Sequence, residues 1–152
     1  MLLISNADLQ AIRKHAEESY PHECCGVLLG TAEGKQRSVK RTVVCSNTCI
    51  DRPQDRYDID PRELVRIQRE AREQGLEIVG FYHSHPSCPA QWSKTDLEEA
   101  HWIGCSYVIT GVERGVAQET NSFVLAGTVE EDKHFVEEKV CVEEEEWVNE
   151  RN

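Results

Sequence analysis

Two histidines one residue apart, a serine eight residues on and an aspartate three beyond that are the residues of this chain best spaced for shared chemistry: His83, His85, Ser93 and Asp96. His83-Ser84-His85-Pro86 follows directly on the apolar run Leu76–Tyr82 (LEIVGFY). Side chains alternate faces along an extended chain, so His83 and His85 project to the same side. Two imidazoles on one face at the end of a buried strand make half of a metal site. Ser93 stands where a helix N-cap belongs and places Asp96 in the first turn, from which a carboxylate can face back toward the strand end. Two histidines and one carboxylate are a catalytic zinc set that leaves the fourth position open for water. Ser93-x-x-Asp96 also reads as a plain capping box, and the two roles are compatible.

The elements that must hold these residues are legible in outline. Ser5 opens a helical pattern with Leu9, Ile12 and Ala16 at helical spacing, and the helix should stop before Pro21. CCGVLLG reads as a buried strand, with Ser38–Cys45 as its hairpin partner after the Glu33-Gly34 turn. Residues 47–60 form a polar loop. A second helix is signalled by Asp60 as cap, Pro61 at the first helical position, Glu63 completing a box, and Gly75 as stop. Pro86–Trp92 is a loop, SKTDLEEAH a third and short helix. Strands follow at Ser106–Thr110, Ser122–Val129 and Phe135–Val142, the last with alternating charges that suit an edge. The expectation is α/β: one mixed sheet flanked by helices over residues 1–142, then an acidic tail at 143–152 in which Trp147 reads as solvated.

Composition narrows the function classes. With 17 Lys+Arg against 28 Asp+Glu, the net charge is −11. A nucleic-acid binder carries a basic face that displaces counterions from phosphate, and none is written here. Acidity fits either a basic protein partner or simple solubility. No apolar stretch reaches the roughly 20 residues that span a bilayer, and the first residues do not read as a secretory signal, so no membrane role and a cytoplasmic setting are expected. Seven cysteines, an odd number with no C-x-x-C pair, read as reduced thiols and small apolar fillers. Cys88 reads as a loop residue near the site. His15, His101 and His134 lack partners at ligand spacing, and the alternation of strand residues turns either His22 or Glu23 away.

HSHPSCPAQWSKTD resembles the JAMM (MPN+) motif of zinc isopeptidases, and PHECCGVLLG resembles the strand that carries that family's catalytic glutamate. NTCIDRPQDRYDIDPREL resembles the segment between the family's first hairpin and second helix, so the likeness covers most of residues 1–125. It implies an α-β-α JAMM/MPN fold, similar to that of cytidine deaminases, with one Zn2+ per chain held by His83, His85 and Asp96. It also implies Glu23 as general base and Ser93 as an oxyanion donor. The wording P-x-E-x-C-G-x-L-x-G is similar to the compact prokaryotic branch. That branch implies a ubiquitin-like sulfur-carrier substrate (ThiS- or MoaD-like) and hydrolysis after its diglycine tail, releasing cysteine or a short peptide.

Two other classes deserve comparison. A non-catalytic MPN-type interaction scaffold would keep the fold while losing ligands, and the complete set of five residues speaks against it. A zinc nucleoside deaminase needs H-x-E with P-C-x-x-C, whereas His22 and Glu23 are adjacent and no P-C-x-x-C exists.

Overall fold

The hydroxyl of Ser5 accepts the Asp8 N–H at 3.0 Å and starts α1 (Asn6–Ser19), which ends two residues before Pro21. A computed structural model describes residues 1–144 of the chain. The second helix, α2 (Pro61–Glu73), also begins at its expected cap, but Asp60 accepts from Arg62 N–H at 2.9 Å instead of closing a box with Glu63. Gly75 takes φ +71°, and the Leu76 N–H returns to the Ala71 carbonyl at 2.8 Å, satisfying the last turn of the helix. The third, α3 (Lys94–Glu99), is a single short segment capped by Ser93.

Among the described residues eight strands make one sheet: β1 (Leu2–Ser5), β2 (Cys25–Glu33), β3 (Gln36–Cys45), β4 (Glu77–Pro86), β5 (Ser106–Glu113), β6 (Val116–Ala126), β7 (His134–Glu138) and β8 (Val140–Glu143). Their order is β7-β6-β5-β4-β2-β3-β1-β8. The sheet is mixed. β2 pairs antiparallel with β3 and β4, while β4 and β5 run parallel. α1 packs with Leu2, Ile4, Leu28, Val79, Tyr82 and Val108 on one face. α2 packs with Val27, Leu29, Phe81, Tyr107 and Leu125 on the other. Coverage on both sides explains why Cys24 and Cys25 are both buried, although alternation sends them to opposite faces. Glycine is required at two central positions. A Cβ on Gly26 would stand 2.1 Å from the Tyr82 ring, and one on Gly80 would stand 2.4 Å from the Ser106 carbonyl oxygen.

The strands also depart from the sequence reading. β1 was not expected; its four residues are too few to show a period. β6 begins earlier than Ser122 and stops at Ala126, because Gly127 turns the chain at φ +119° into a 3-10 turn at Glu130–Asp132. The expected single strand Phe135–Val142 is two strands on opposite edges of the sheet, with only Lys139 between them. β7 pairs with β6 and β8 with β1, so the sheet curls until its two ends lie side by side. The acidic tail expected from 143 starts inside β8, and residues 145–152, Trp147 among them, lie outside the described residues. Among the described residues no helix is long and apolar enough to cross a membrane.

Glu138 seals the curled sheet. Its buried carboxylate accepts from the Ser106 hydroxyl at 2.5 Å and the Ser122 hydroxyl at 2.7 Å, and lies 3.5 Å from the largely buried Arg37 guanidinium. Removing it strands two buried hydroxyls and a cation. Glu138→Ala is therefore expected to cost about 3–5 kcal/mol, measured by urea denaturation at neutral pH.

Candidate active site

The geometry begins with β4, a central strand held by β2 on one side and β5 on the other. His83 and His85 fall within β4 itself, which continues to Pro86, and the parallel pairing with β5 is kept to Pro86↔Val112. Both imidazoles are buried. Across the antiparallel pair, Cys25 stands opposite His83. One step further, Ser84 N–H donates to the Cys24 carbonyl at 3.3 Å and the Ser84 hydroxyl accepts from Cys24 N–H at 2.8 Å. The next position on each chain is Glu23 on one side and His85 on the other. Alternation then puts Glu23, His83 and His85 on one face. His22 is exposed.

Asp96 arrives from a third direction. Ser93 and Asp96 form a full reciprocal cap: the Ser93 hydroxyl accepts Asp96 N–H at 3.1 Å, and Asp96 Oδ2 accepts Ser93 N–H at 2.9 Å. The cap directs the carboxylate inward, 3.3 Å from His83 Nε2 and 2.9 Å from His85 Nε2. The two Nε2 atoms are 3.2 Å apart. Ligand atoms of Glu23, His83, His85 and Asp96 all lie within 4.8 Å of one another, and all four residues are buried. The structure brings Glu23, His83, His85 and Asp96 into one buried cluster, and Ser93 stands beside it as the cap of the helix that presents Asp96.

The hydrogen bonding of this cluster calls for a cation. His85 Nδ1 lies 3.0 Å from the Pro89 carbonyl, which can only accept, so the ring proton sits on Nδ1 and Nε2 offers a lone pair. That lone pair faces a carboxylate oxygen and a second imidazole nitrogen. Converging acceptors in a buried pocket are tolerated only with a proton or a metal ion among them. Burial would raise the Asp96 carboxyl, but His83 and His85 outweigh it and hold the group well below the usual carboxylate range. Burial pushes the His83 imidazole down, against the pull of Asp96. Glu23 is pushed up to about 9, by burial first and then by Asp96 and Asp55. Its Oε1 and the Nδ1 of His83 are buried with no hydrogen-bond partner among the described residues.

Side chains that the sequence did not single out complete the site. Tyr57 stacks on His83 with ring centroids 4.6 Å apart. Asn121 donates to the Ala90 carbonyl at 2.9 Å and steadies the loop that offers Pro89 to His85. Ser84 ties β2 to β4 beside Glu23. Only the position of Ser84 between the histidines hinted at a role; Tyr57 and Asn121 lie far from the motif and carry no local signal. A cleft of about 190 Å³ opens onto the cluster, lined by Glu23, Gln54, Asp55, His85, Trp92 and Ser93. Cys88 also lines it, exposed and outside the four converging residues.

A curled mixed α/β sheet with this buried Glu-His-His-Asp cluster at its centre is the architecture of a JAMM-type hydrolase. The chain belongs to the family described as prokaryotic homologs of the JAB domain, which it matches over residues 5–126. It is 39% identical over 103 residues to a protein named desampylase from Haloferax volcanii, covering 65% of this chain and 72% of that one. It is 31% identical over 133 residues to a CysO-cysteine peptidase of Mycobacterium tuberculosis, covering 86% and 88%. The solution structure of protein DSY2949 from Desulfitobacterium hafniense superimposes with a TM-score of 0.81 at 29% identity, covering 95% of this chain and 94% of that one.

Two stability measurements test the site's electrostatics. In the chelator-treated protein Glu23 binds its proton more tightly folded than unfolded, so stability falls as pH rises from about 4.5 toward about 9. Glu23→Gln is expected to raise the stability of that metal-free form at pH 8 by on the order of a few kcal/mol, with the gain vanishing near pH 4.5, as read by denaturant titration at both pH values. Ser93→Ala removes the cap and is expected to cost about 1 kcal/mol of unfolding free energy in the same assay.

Proposed function

We propose that the chain is a zinc-dependent peptidase. It hydrolyses the amide bond after the C-terminal diglycine of a ubiquitin-like sulfur-carrier protein of the ThiS/MoaD type, freeing cysteine or a short peptide. The observation that carries this reading is the convergence of His83 Nε2, His85 Nε2 and Asp96 Oδ1 beside an unpartnered Glu23 carboxylate. Their separations of 3.2 and 3.3 Å suit zinc. Two donors about 2.1 Å from a tetrahedral ion stand about 3.4 Å apart. His83, His85 and Asp96 would hold the ion, one per chain. A zinc ion held there would supply a water whose pKa is lowered to about 7 and a Lewis acid for the scissile carbonyl.

The rest of the chemistry belongs to the chain. Glu23 accepts the proton of the attacking water and returns it to the departing amine. A cation held beside Glu23 would favour the ionised form that accepts the proton, and burial keeps that proton for delivery and away from solvent. The Ser93 oxygen already accepts Asp96 N–H, which leaves its own hydrogen free to donate to the developing oxyanion. The narrow cleft beside Trp92 suits an extended tail of glycines. The names of the desampylase and the CysO-cysteine peptidase favour carrier-protein conjugates as substrates. Seven free cysteines suit a reducing cytoplasm.

The test is a carrier protein bearing a C-terminal cysteine adduct, incubated with the enzyme and weighed by mass spectrometry. The adduct is expected to lose one cysteine, and chelator should abolish the loss until zinc is restored. Glu23→Gln is expected to lower kcat by about 10²–10⁴-fold with zinc still bound, and His83→Ala to lose both zinc and activity. Cleavage at the wild-type rate in either variant would overturn the mechanism.

A further inference from the structure

Glu23 lies outside the sheet ladder, two residues before Cys25, the first residue paired with β4, and its main chain is held by something else. The segment between β3 and α2, residues 46–60, holds both of its backbone polar groups. Glu23 N–H donates to the Pro53 carbonyl at 2.6 Å, and the Glu23 carbonyl accepts from Asn47 Nδ2 at 3.2 Å. The side chain of Glu23 has no such anchor, since Oε1 is without a partner. Its aim toward His83, His85 and Asp96 therefore depends on packing and on these two main-chain contacts.

Asn47 is also what gives the segment its shape. The same Nδ2 donates to the Arg56 carbonyl at 3.0 Å, and Oδ1 accepts from Cys49 N–H at 3.0 Å and Asp58 N–H at 3.2 Å. One amide thus closes the loop on itself and clips it to Glu23. The closed loop reaches the other site elements as well. Tyr57 stacks on His83, and the Arg56 guanidinium bridges 2.8 Å to Glu99 of α3, the helix that presents Asp96. No other side chain hydrogen-bonds to Glu23's main chain among the described residues, and only an amide offers both two donors and a two-fold acceptor at that point.

We propose that Asn47 is a positioning residue for the general base. It fixes the Glu23 main chain relative to the histidine pair and so sets the direction of the carboxylate. The inference rests on the assignment of Glu23 as base made above. Loss of such a support displaces the base without removing a metal ligand, so the signature is a loss of kcat with the metal retained.

The experiment uses the carrier-adduct assay on the zinc-loaded, full-length enzyme. Asn47→Ala is expected to lower kcat by about 10–100-fold, with KM within about twofold and zinc content still one per chain. In a Glu23→Gln background the same substitution should change the residual kcat by less than about twofold, because the group it positions is already gone. Asn47→Asp keeps both acceptor contacts, loses both donations, and is expected to match Asn47→Ala; it decides the matter should the alanine variant not fold. Ile50→Ala, on the same loop and 91% exposed, should retain wild-type kcat. The inference is overturned if Asn47→Asp retains wild-type kcat, if zinc is lost with activity, if the loss is undiminished in the Glu23→Gln background, or if Ile50→Ala is equally impaired. Wild-type kcat in Glu23→Gln alone would instead sink the assignment of the base.

Discussion

The antiparallel register between β2 and β4 is the constraint on which the site depends. With Cys25 set against His83, Glu23 falls opposite His85 and both pairs share a face. A slip of one residue would turn Glu23 to the other face, toward α1 and away from the histidines. The register is secured from several sides at once. The Tyr82 ring lies across Gly26, the Ser84 hydroxyl holds Cys24 N–H, and the apolar residues of β2 and β4 are committed to two different cores. Chemistry at the strand ends is thus fixed by packing along the strands.

The site itself works against stability. Two imidazoles, a carboxylate and a second carboxyl are crowded into a buried pocket, with two polar atoms unpartnered. Such an arrangement persists because the surrounding structure over-determines it. The Ser93–Asp96 box aims one carboxylate, the Pro89 carbonyl fixes one ring, and Tyr57 covers the other. Each support comes from a different element, which makes the pocket preorganised and leaves only a cation to be supplied.

The sheet's closure serves the same end from a distance. Because β7 and β8 lie on opposite edges with one residue between them, the eight-stranded sheet is bent into a curl, with Glu138 sealing the seam against Ser106 and Ser122. Ser106 begins β5, the parallel neighbour of β4, so the seam braces the strand that flanks the histidines. Neither β1 nor the division at Lys139 was readable locally. Four residues of β1 show no period, and the run Phe135–Val142 carries no turn residue to mark where one half leaves for the other edge.

What the sequence determined by itself were the features set by near neighbours. The helix caps at Ser5, Asp60 and Ser93, the common face of His83 and His85, and the inward aim of Asp96 all follow from spacings of a few residues. The covering of the sheet on both faces follows from its long apolar runs. Glu23 was named only through resemblance, because nothing within ten residues distinguishes it from a surface glutamate. Tertiary structure decided its place, through a register set sixty residues away in the chain. It also decided the roles of Asn47, Tyr57 and Ser84, and the curl sealed by Glu138. The physical reason is the same in each case: caps and alternation are properties of a local backbone, while register, second contacts and closure are chosen by whichever distant partners pack and hydrogen-bond together.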